Sequence, residues 1–247
     1  MRRQVQVKLT TWLIVLLLSP LVWADQDPDD PGLADTLGFS TTALYYPLGY
    51  GGSAFVGVRF FNDNQVYGLT CPFLISGPVS YDSTSFIGSR VEYLEHKTSN
   101  YNFSKSKLLI GAVPVEEDPI PPGSGSLCKI WFTLNDTVGT LTLDSTFFEP
   151  SNHLVFVNSV PEDYVPQFTA GSFPIMVYLP GDATGDRKVD VGDVIFIVNH
   201  VFRGGPVPAI PVAGDVNGNC VIDVTDIFYE ANYVFKGGAA PLPGCIL

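Results

Sequence analysis

Two groups of oxygen-bearing side chains near the C-terminus have the spacing of calcium ligands. Each group occupies positions 1, 3, 5, 9 and 12 of a twelve-residue segment, and position 7 supplies a backbone carbonyl. The first group consists of Asp182, Thr184, Asp186, Lys188 (through its carbonyl), Asp190 and Asp193. The second consists of Asp215, Asn217, Asn219, Val221 (through its carbonyl), Asp223 and Asp226. Because Ca²⁺ is a hard cation that takes about six to eight oxygen ligands, the sequence predicts two calcium ions, one in each segment.

These segments belong to an internal duplication. Residues 181–208 and 214–241 align with an offset of 33 positions, and 12 of the 28 aligned positions are identical. In each copy an apolar stretch follows the last Asp, and a basic residue and two glycines end it. Acids favour helix starts and glycines favour helix ends, so we expect helices at Asp193–Phe202 and Asp226–Phe235. Solvated acidic turns, the alternative interpretation, do not account for the repeated helix and stop.

The repeat resembles a type I dockerin over residues 180–247. Its motif is Gly-Asp-x-(Asn/Thr)-Gly-(Asp/Asn)-x-x-(Val/Ile)-Asp-Val-x-Asp, followed by Asn-x-Val-Phe-(Arg/Lys)-Gly-Gly. Dockerins are small calcium-dependent modules that plug secreted proteins into cohesin modules, typically in assemblies that degrade polysaccharides. The resemblance implies partner contacts at Val191, Gly192, Val198, Asn199 and Arg203, and in the second copy at Val224, Thr225, Ala231, Asn232 and Lys236. Loop position 6, usually Gly in this family, holds Arg187 and Cys220.

Residues 1–24 predict a secretory signal peptide. Arg2, Arg3 and Lys8 precede the mostly apolar run Trp12–Trp23, and the small residue Ala24 ends it. A membrane anchor, the alternative, needs about 20 apolar residues, and no later stretch is long enough to span a bilayer. We therefore expect an exported protein, secreted or associated with the cell surface, that starts with a flexible acidic linker at 25–34.

Composition excludes several classes of protein. The 247 residues are 46% apolar and 15% charged, the reverse of a disordered chain. Removal of the signal peptide takes away three basic and no acidic side chains, so the net charge of −12 becomes −15. Nothing in such a chain would neutralise a row of phosphates, which argues against nucleic acid as a partner.

The residues before the repeat predict an all-β domain at 35–179, so the whole is a multi-domain chain with a small α domain at 180–247. Short β-rich runs are separated by Gly, Pro, Asn and Asp, and residues 129–134 alternate between polar and apolar. About nine strands indicate a sandwich or jelly roll. The candidates are 36–40, 54–61, 66–76, 85–87, 108–113, 126–134, 140–143, 154–158 and 175–179.

This domain also resembles a cohesin, from the superfamily that neighbours the carbohydrate-binding modules. The matching stretches, in order, are Val56–Asp63, Val66–Thr70, Pro121–Leu127 leading into Ile130–Phe132, and Gly139–Leu143. Four cysteines allow three pairings, and pairing within each half, Cys71 with Cys128 and Cys220 with Cys245, is the simplest; the alternative is free, buried thiols. The resemblance implies that the strands bearing Cys71 and Cys128 are neighbours.

Catalytic patterns do not appear in the sequence. There is no Gly-x-Ser-x-Gly motif, and the three histidines lack the paired spacing of a zinc site. Glu116 and Glu117 could form a carboxylate pair, but they are adjacent in a Pro-rich stretch that predicts a solvated loop.

We therefore expect a non-catalytic adaptor whose calcium-loaded dockerin docks on a cohesin of another protein or of another copy. One alternative is a carbohydrate-binding protein whose sandwich holds glycan through Trp131 and tyrosines while the dockerin tethers it. The second alternative is an unrecognised glycoside hydrolase.

Overall fold

The computed structural model describes residues 32–135, 137–159 and 162–245, where thirteen strands are followed by two α-helices. The predicted signal peptide and residues 25–31 of the predicted linker lie outside this part. The strands are β1 (Thr36–Phe39), β2 (Leu44–Pro47), β3 (Gly52–Asn62), β4 (Gly68–Ser76), β5 (Val79–Ser85), β6 (His96–Asn102), β7 (Lys107–Val113), β8 (Gly123–Leu134), β9 (Gly139–Ser145), β10 (Val155–Val157), β11 (Asp163–Tyr164), β12 (Gln167–Phe168) and β13 (Gly171–Tyr178). The helices are α1 (Val191–Arg203) and α2 (Val224–Lys236), with a short 3-10 helix at Pro211–Ala213 between them.

The strands form two sheets that pack as a sandwich. One sheet has the order β12-β1-β3-β8-β5. The other runs β6-β7-β4-β9-β13-β2, and β10 and β11 extend it beside the first half of β4. The chain crosses between the sheets directly after β1, where Ser40 N donates to Gly57 O at 2.9 Å before β2 pairs with β13. The prediction of a mostly β, sandwich-like domain is therefore confirmed.

Alternation along the strands places the core between the sheets. In β8, Cys128, Ile130, Phe132 and Leu134 are buried, while Lys129 and Thr133 are exposed on the outer face. The largest fully buried side chains include five phenylalanines, which interlock the two sheets: Phe60, Phe73, Phe132, Phe156 and Phe173. Burial of apolar area at about 25 cal/mol per Å² makes this cluster the main stabilising element of the sandwich.

Five of the strands are not predicted from the sequence, and one predicted strand is misplaced. Strands β5 and β6 are polar and lie at sheet edges, so they lack the apolar alternation that marks a strand. Strands β2, β11 and β12 have four residues or fewer. The strand predicted at 85–87 was wrong, because only Ser85 belongs to a strand and a turn follows.

The predicted disulfide between Cys71 and Cys128 is absent from the described residues. Both thiols are free and buried. Strand β4 carries Cys71 and strand β8 carries Cys128, and these strands belong to different sheets instead of being neighbours. Packed sheets lie about 10 Å apart, whereas a disulfide requires Cα atoms within about 7 Å. The sequence alternative of free, buried thiols is therefore the one that the structure has.

We expect neither of these thiols to react in the folded protein. Burial raises the pKa of both, and the proximity of Cys128 raises that of Cys71 further, which suppresses the reactive thiolate. A colorimetric thiol assay should detect no thiol in the native chain and two after denaturation without reductant. Detection of no thiol after denaturation would mean that a bridge had formed.

The C-terminal part from Gly181 to Cys245, here called the helical module, packs against one end of the sandwich. Tyr178 at the end of β13 contacts Val212 and Ala213 in a small apolar cluster. Tyr50 Oη donates to Pro241 O at 2.6 Å. A cleft of about 470 Å³ lies beside this contact, lined by residues from both parts. Within the described ranges, neither helix is long and apolar enough to cross a membrane.

Candidate metal centre and docking surface

Both helices begin two residues earlier than predicted. Asp190 caps α1 by accepting from Gly192 N at 2.7 Å, and Asp223 caps α2 by accepting from Thr225 N at 2.7 Å. Asp193 and Asp226, which we expected to be the first helical residues, lie at the third position instead. Their carboxylates accept from the backbone N–H of the cap residues at 2.9 Å, which completes a capping box in each repeat. Both helices end one residue later than predicted, at Arg203 and Lys236, and the predicted stop glycines Gly204 and Gly237 cap them.

The two loops before the helices fold around the carboxylates of positions 1 and 12. Asp182 accepts backbone N–H groups from Gly185, Asp186 and Arg187 at 2.7–3.0 Å. Asp193 accepts the backbone N–H and the hydroxyl of Thr184, both at 2.9 Å. These bonds give the loop its curl and point two buried carboxylates toward its centre.

The second loop repeats this arrangement. Asp215 accepts from Asn219 N and Cys220 N at 3.0 Å, and Asp226 accepts from Val216 N at 2.9 Å and Asn217 N at 3.2 Å. The residues at position 6 have the same left-handed conformation, with φ of 70° for both Arg187 and Cys220. That conformation costs a non-glycine residue roughly 1–2 kcal/mol. Its occurrence in both copies shows that the loop geometry overrides the local preference of the residue.

The donor atoms of both loops are all oxygens, which fits a hard cation and not zinc. Positions 1 and 12 are buried, whereas Thr184, Asp186, Lys188, Asp190, Asn219 and Val221 are exposed and Asn217 and Asp223 are half-buried. In the described ranges, no three Asp, Glu, His or Cys side chains converge closely enough to hold a metal by themselves. Hydroxyl, amide and backbone carbonyl oxygens would therefore have to complete each set of ligands.

A disulfide between Cys220 and Cys245 connects the second loop to the tail that follows α2. It closes a segment with a sequence separation of 25, and Cys245 N also donates to Asp215 Oδ2 at 2.9 Å. The pairing proposed from sequence for these two cysteines is confirmed. The bond holds position 6 of the loop and the end of the tail together.

Replacing both cysteines with Ser should destabilise the helical module by about 3 kcal/mol, because the unfolded chain regains the entropy of an open loop. Thermal unfolding of the full chain, followed by circular dichroism in the helical region, measures this loss. Reductant should lower the transition of the wild type to the same temperature and leave the double variant unchanged. Equal transition temperatures for both proteins without reductant would contradict the prediction.

The residues that the resemblance assigns to partner contact all lie at the surface. Val191, Arg203, Val224, Thr225, Asn232 and Lys236 are exposed, and Gly192, Val198, Asn199 and Ala231 are half-buried. Thr225 also serves its own loop, because its hydroxyl donates to Asp223 at 2.6 Å and accepts from Asn217 at 2.7 Å. Arg203 donates to Asn199 Oδ1 at 3.3 Å.

The structure adds four large apolar residues to this surface. Ile195 and Phe202 are 54% and 65% exposed, and Phe228 and Phe235 are 70% and 64% exposed. Each pair continues a stripe at spacing i, i+4, i+7 and i+11, which lies along one face of a helix. The stripe of α1 is Val191, Ile195, Val198 and Phe202, and the stripe of α2 is Val224, Phe228, Ala231 and Phe235. The spacing was present in the sequence, but periodicity alone does not tell a buried face from an exposed one.

Glu116 and Glu117, the adjacent carboxylates that could have formed a catalytic pair, lie in a loop, as predicted. Glu116 is exposed, and the Glu117 carboxylate accepts backbone N–H groups from Glu95, Val115 and Glu116. The bond from Glu95 contributes most to lowering the pKa of Glu117. A general acid in glycoside hydrolysis needs a raised pKa, so Glu117 does not have the property that this role requires.

Comparisons with known proteins give likenesses to cohesins among solved structures. No protein-family model and no curated protein match the chain. A chain of a type I cohesin–dockerin complex from Clostridium thermocellum has a TM-score of 0.48 and 8% identity, covering 59% of this chain and 95% of its own. A type I cohesin from Pseudobacteroides cellulosolvens has a TM-score of 0.47 and 13% identity, covering 60% and 95%. A non-cellulosomal cohesin from Archaeoglobus fulgidus has a TM-score of 0.44 and 14% identity, covering 58% and 91%.

Proposed function

We propose that this protein is an exported, non-catalytic adaptor that binds two calcium ions and docks on a cohesin module of another protein through its two helices. The observation that carries the proposal is the duplication of both elements in the helical module. Each copy has an oxygen-lined loop, a capped helix and an exposed apolar stripe. Residues 1–24 act as the export signal in this proposal.

Calcium binding would account for the unusual backbone conformation of the two loops. Position 6 adopts a left-handed conformation in both copies although neither residue is Gly, and a bound cation would offset that cost. Each loop also directs buried carboxylates toward its centre, and none of the predicted ligands that act through their side chains is basic. Ions that bind only the folded state would stabilise the module by about 2.7 kcal/mol when free calcium is a hundredfold above Kd.

The exposed apolar stripes favour burial of both helices against a partner. A soluble helix normally turns large apolar residues inward, whereas α1 and α2 each present an exposed Phe near the C-terminal end. Arg203 and Lys236 border the stripes and would favour carboxylates on the partner. The motif resemblance described above makes a cohesin module the partner that we propose, and the sandwich would provide a second adhesion point.

Retention of the full chain on immobilised type I cohesin modules tests docking. We expect retention in calcium and loss of retention in a chelator. The double variant F202S/F235S should weaken binding at least tenfold, because both stripes lose their most exposed aromatic group. F103S is the matched control, since Phe103 is 79% exposed on the sandwich and lies outside the stripes.

Two results would separate the parts of the proposal. If calorimetry detects calcium binding but the chain is not retained on immobilised cohesin, docking is overturned and metal binding is not. Equal retention of the wild type and F202S/F235S would remove the helices as the contact surface.

Carbohydrate binding by the sandwich is a second candidate function, favoured by an aromatic pair on the outer face of the five-stranded sheet. Phe55 and Trp131 are paired across β3 and β8 with ring centroids 5.1 Å apart, and Lys129 lies 4.8 Å from the Phe55 ring. Both aromatic rings are partly exposed. Retention on insoluble polysaccharide that is lost in W131A and kept in F202S/F235S would favour this function.

A further inference from the structure

Glu230 is a buried acid without a partner. It lies on α2, one turn after Asp226, and its side chain is fully buried. Neither of its carboxylate oxygens has a hydrogen-bond partner among the described residues. Burial of a charged group without compensation is costly, and an unsatisfied buried polar group in a folded protein requires an explanation such as an ion.

The duplication shows that an apolar side chain can occupy the equivalent buried position. The equivalent position in the first repeat is Ile197, which is also fully buried. An apolar side chain therefore fills this place in one helix, and a carboxylate fills it in the other. Comparison of the two repeats predicts an apolar residue at this position, and the sequence has an acid there instead.

Glu230 interacts electrostatically with carboxylates of both loops. After burial, which has the largest effect, the carboxylates of Asp193, Asp226, Asp182 and Asp190 raise the pKa of Glu230 to about 8. Three of these four residues are ligands that the sequence predicts for the first loop. The second repeat thus brings a buried carboxylate within electrostatic range of the loop of the other repeat.

We propose that Glu230 is an additional carboxylate of the first cation site, supplied by the helix of the second repeat. This inference rests on the proposed binding of calcium. A divalent cation in the first loop balances the charge of Glu230. It thereby offsets the electrostatic cost of burying this carboxylate. Five carboxylates, the four of the first loop and Glu230, then contribute negative charge at the first site, whereas the second loop contributes three.

This arrangement makes the two sites unequal. Calcium affinity depends on the number of charged ligands, so the first site is the stronger one. It also couples the repeats, because α2 must be packed on α1 before the first site is complete. The second site has no such dependence, since Ile197 offers it no oxygen.

Calcium titration by calorimetry of full-length variants tests this inference one loop at a time. In a D215A background, only the first site remains, and E230Q should weaken it at least tenfold. In a D182A background, only the second site remains, and E230Q should change its affinity less than twofold. The rise in Tm on addition of calcium gives a second readout and should shrink in E230Q only where the first site is intact.

The outcomes distinguish this inference from the proposal beneath it. A wild type that binds no calcium overturns both. A wild type that binds two ions, with E230Q unchanged in the D215A background, overturns only the role of Glu230. E230Q should fold in a chelator at least as stably as the wild type. If E230Q and E230L both unfold there, Glu230 is needed without a cation, and the inference is wrong.

Discussion

Replacing Glu230 with Leu should stabilise the calcium-free chain, by an amount that increases with pH. In the folded state the pKa of Glu230 is raised from 4.5 to about 8, chiefly by burial and then by the facing carboxylates of Asp193, Asp226, Asp182 and Asp190. Between these two values the folded protein holds a proton that the unfolded chain has lost. The wild type therefore loses stability as the pH rises from about 4.5 and reaches its full penalty above about 8.

Since one pKa unit corresponds to about 1.4 kcal/mol, we expect the difference in free energy of unfolding between E230L and wild type to grow by up to about 3 kcal/mol from pH 5 to pH 8. Urea unfolding in a chelator at several pH values measures this difference. Glu116 is exposed, and E116Q serves as the control that should follow the wild type throughout. A difference that does not vary with pH would show that the carboxylate is not buried as described.

Truncation of Phe60 to Ala should destabilise the sandwich by about 3–5 kcal/mol, the usual cost of removing a buried aromatic side chain. Phe60 is 1% exposed and its ring packs edge-on against Phe156 of the opposite sheet at 6.1 Å. The guanidinium carbon of Arg90 lies 4.3 Å from the ring centroid. The truncation removes both contacts and leaves a cavity between the sheets.

For a domain of this size, the loss corresponds to a fall in Tm of roughly 10 °C. Phe61 follows in the same strand, is half-buried and faces outward, so F61A is the matched control and should cost about 1 kcal/mol or less. Thermal unfolding followed by near-ultraviolet circular dichroism resolves the two variants. Similar losses for F60A and F61A would mean that the sheets do not interlock through Phe60.

The helical module could be predicted closely because its determinants are local. In each repeat, about twenty consecutive residues contain all of these determinants: the ligand positions, the capping acids and the Gly pair. The start of each helix was misplaced because Asp190 and Asp193 are both acids that suit a helix N-terminus. Only the backbone shows that the earlier one is the cap.

The sandwich was predictable as a class but not in its pairing. Apolar alternation identifies central strands such as β8, whereas β5 and β6 satisfy their backbones at sheet edges with polar side chains. Assignment of strands to sheets depends on contacts distant in sequence, which is why the relation of Cys71 to Cys128 was wrong. The burial of Glu230 could not be predicted from the sequence, because it results from the packing of one repeat on the other.

The contact between the tail and the sandwich determines how a load would pass through the molecule. Pro241 lies so close to Gly181 that a Cβ on Gly181 would be 2.7 Å from its ring, and Tyr50 of the sandwich bonds to the same proline. The two ends of the helical module therefore meet at one point on the sandwich. If the helices were held by a partner and the sandwich were pulled, the force would act on both ends together. Separation of the two parts would then require the contacts at both ends to break, so the joint should resist tension better than a single connecting segment would.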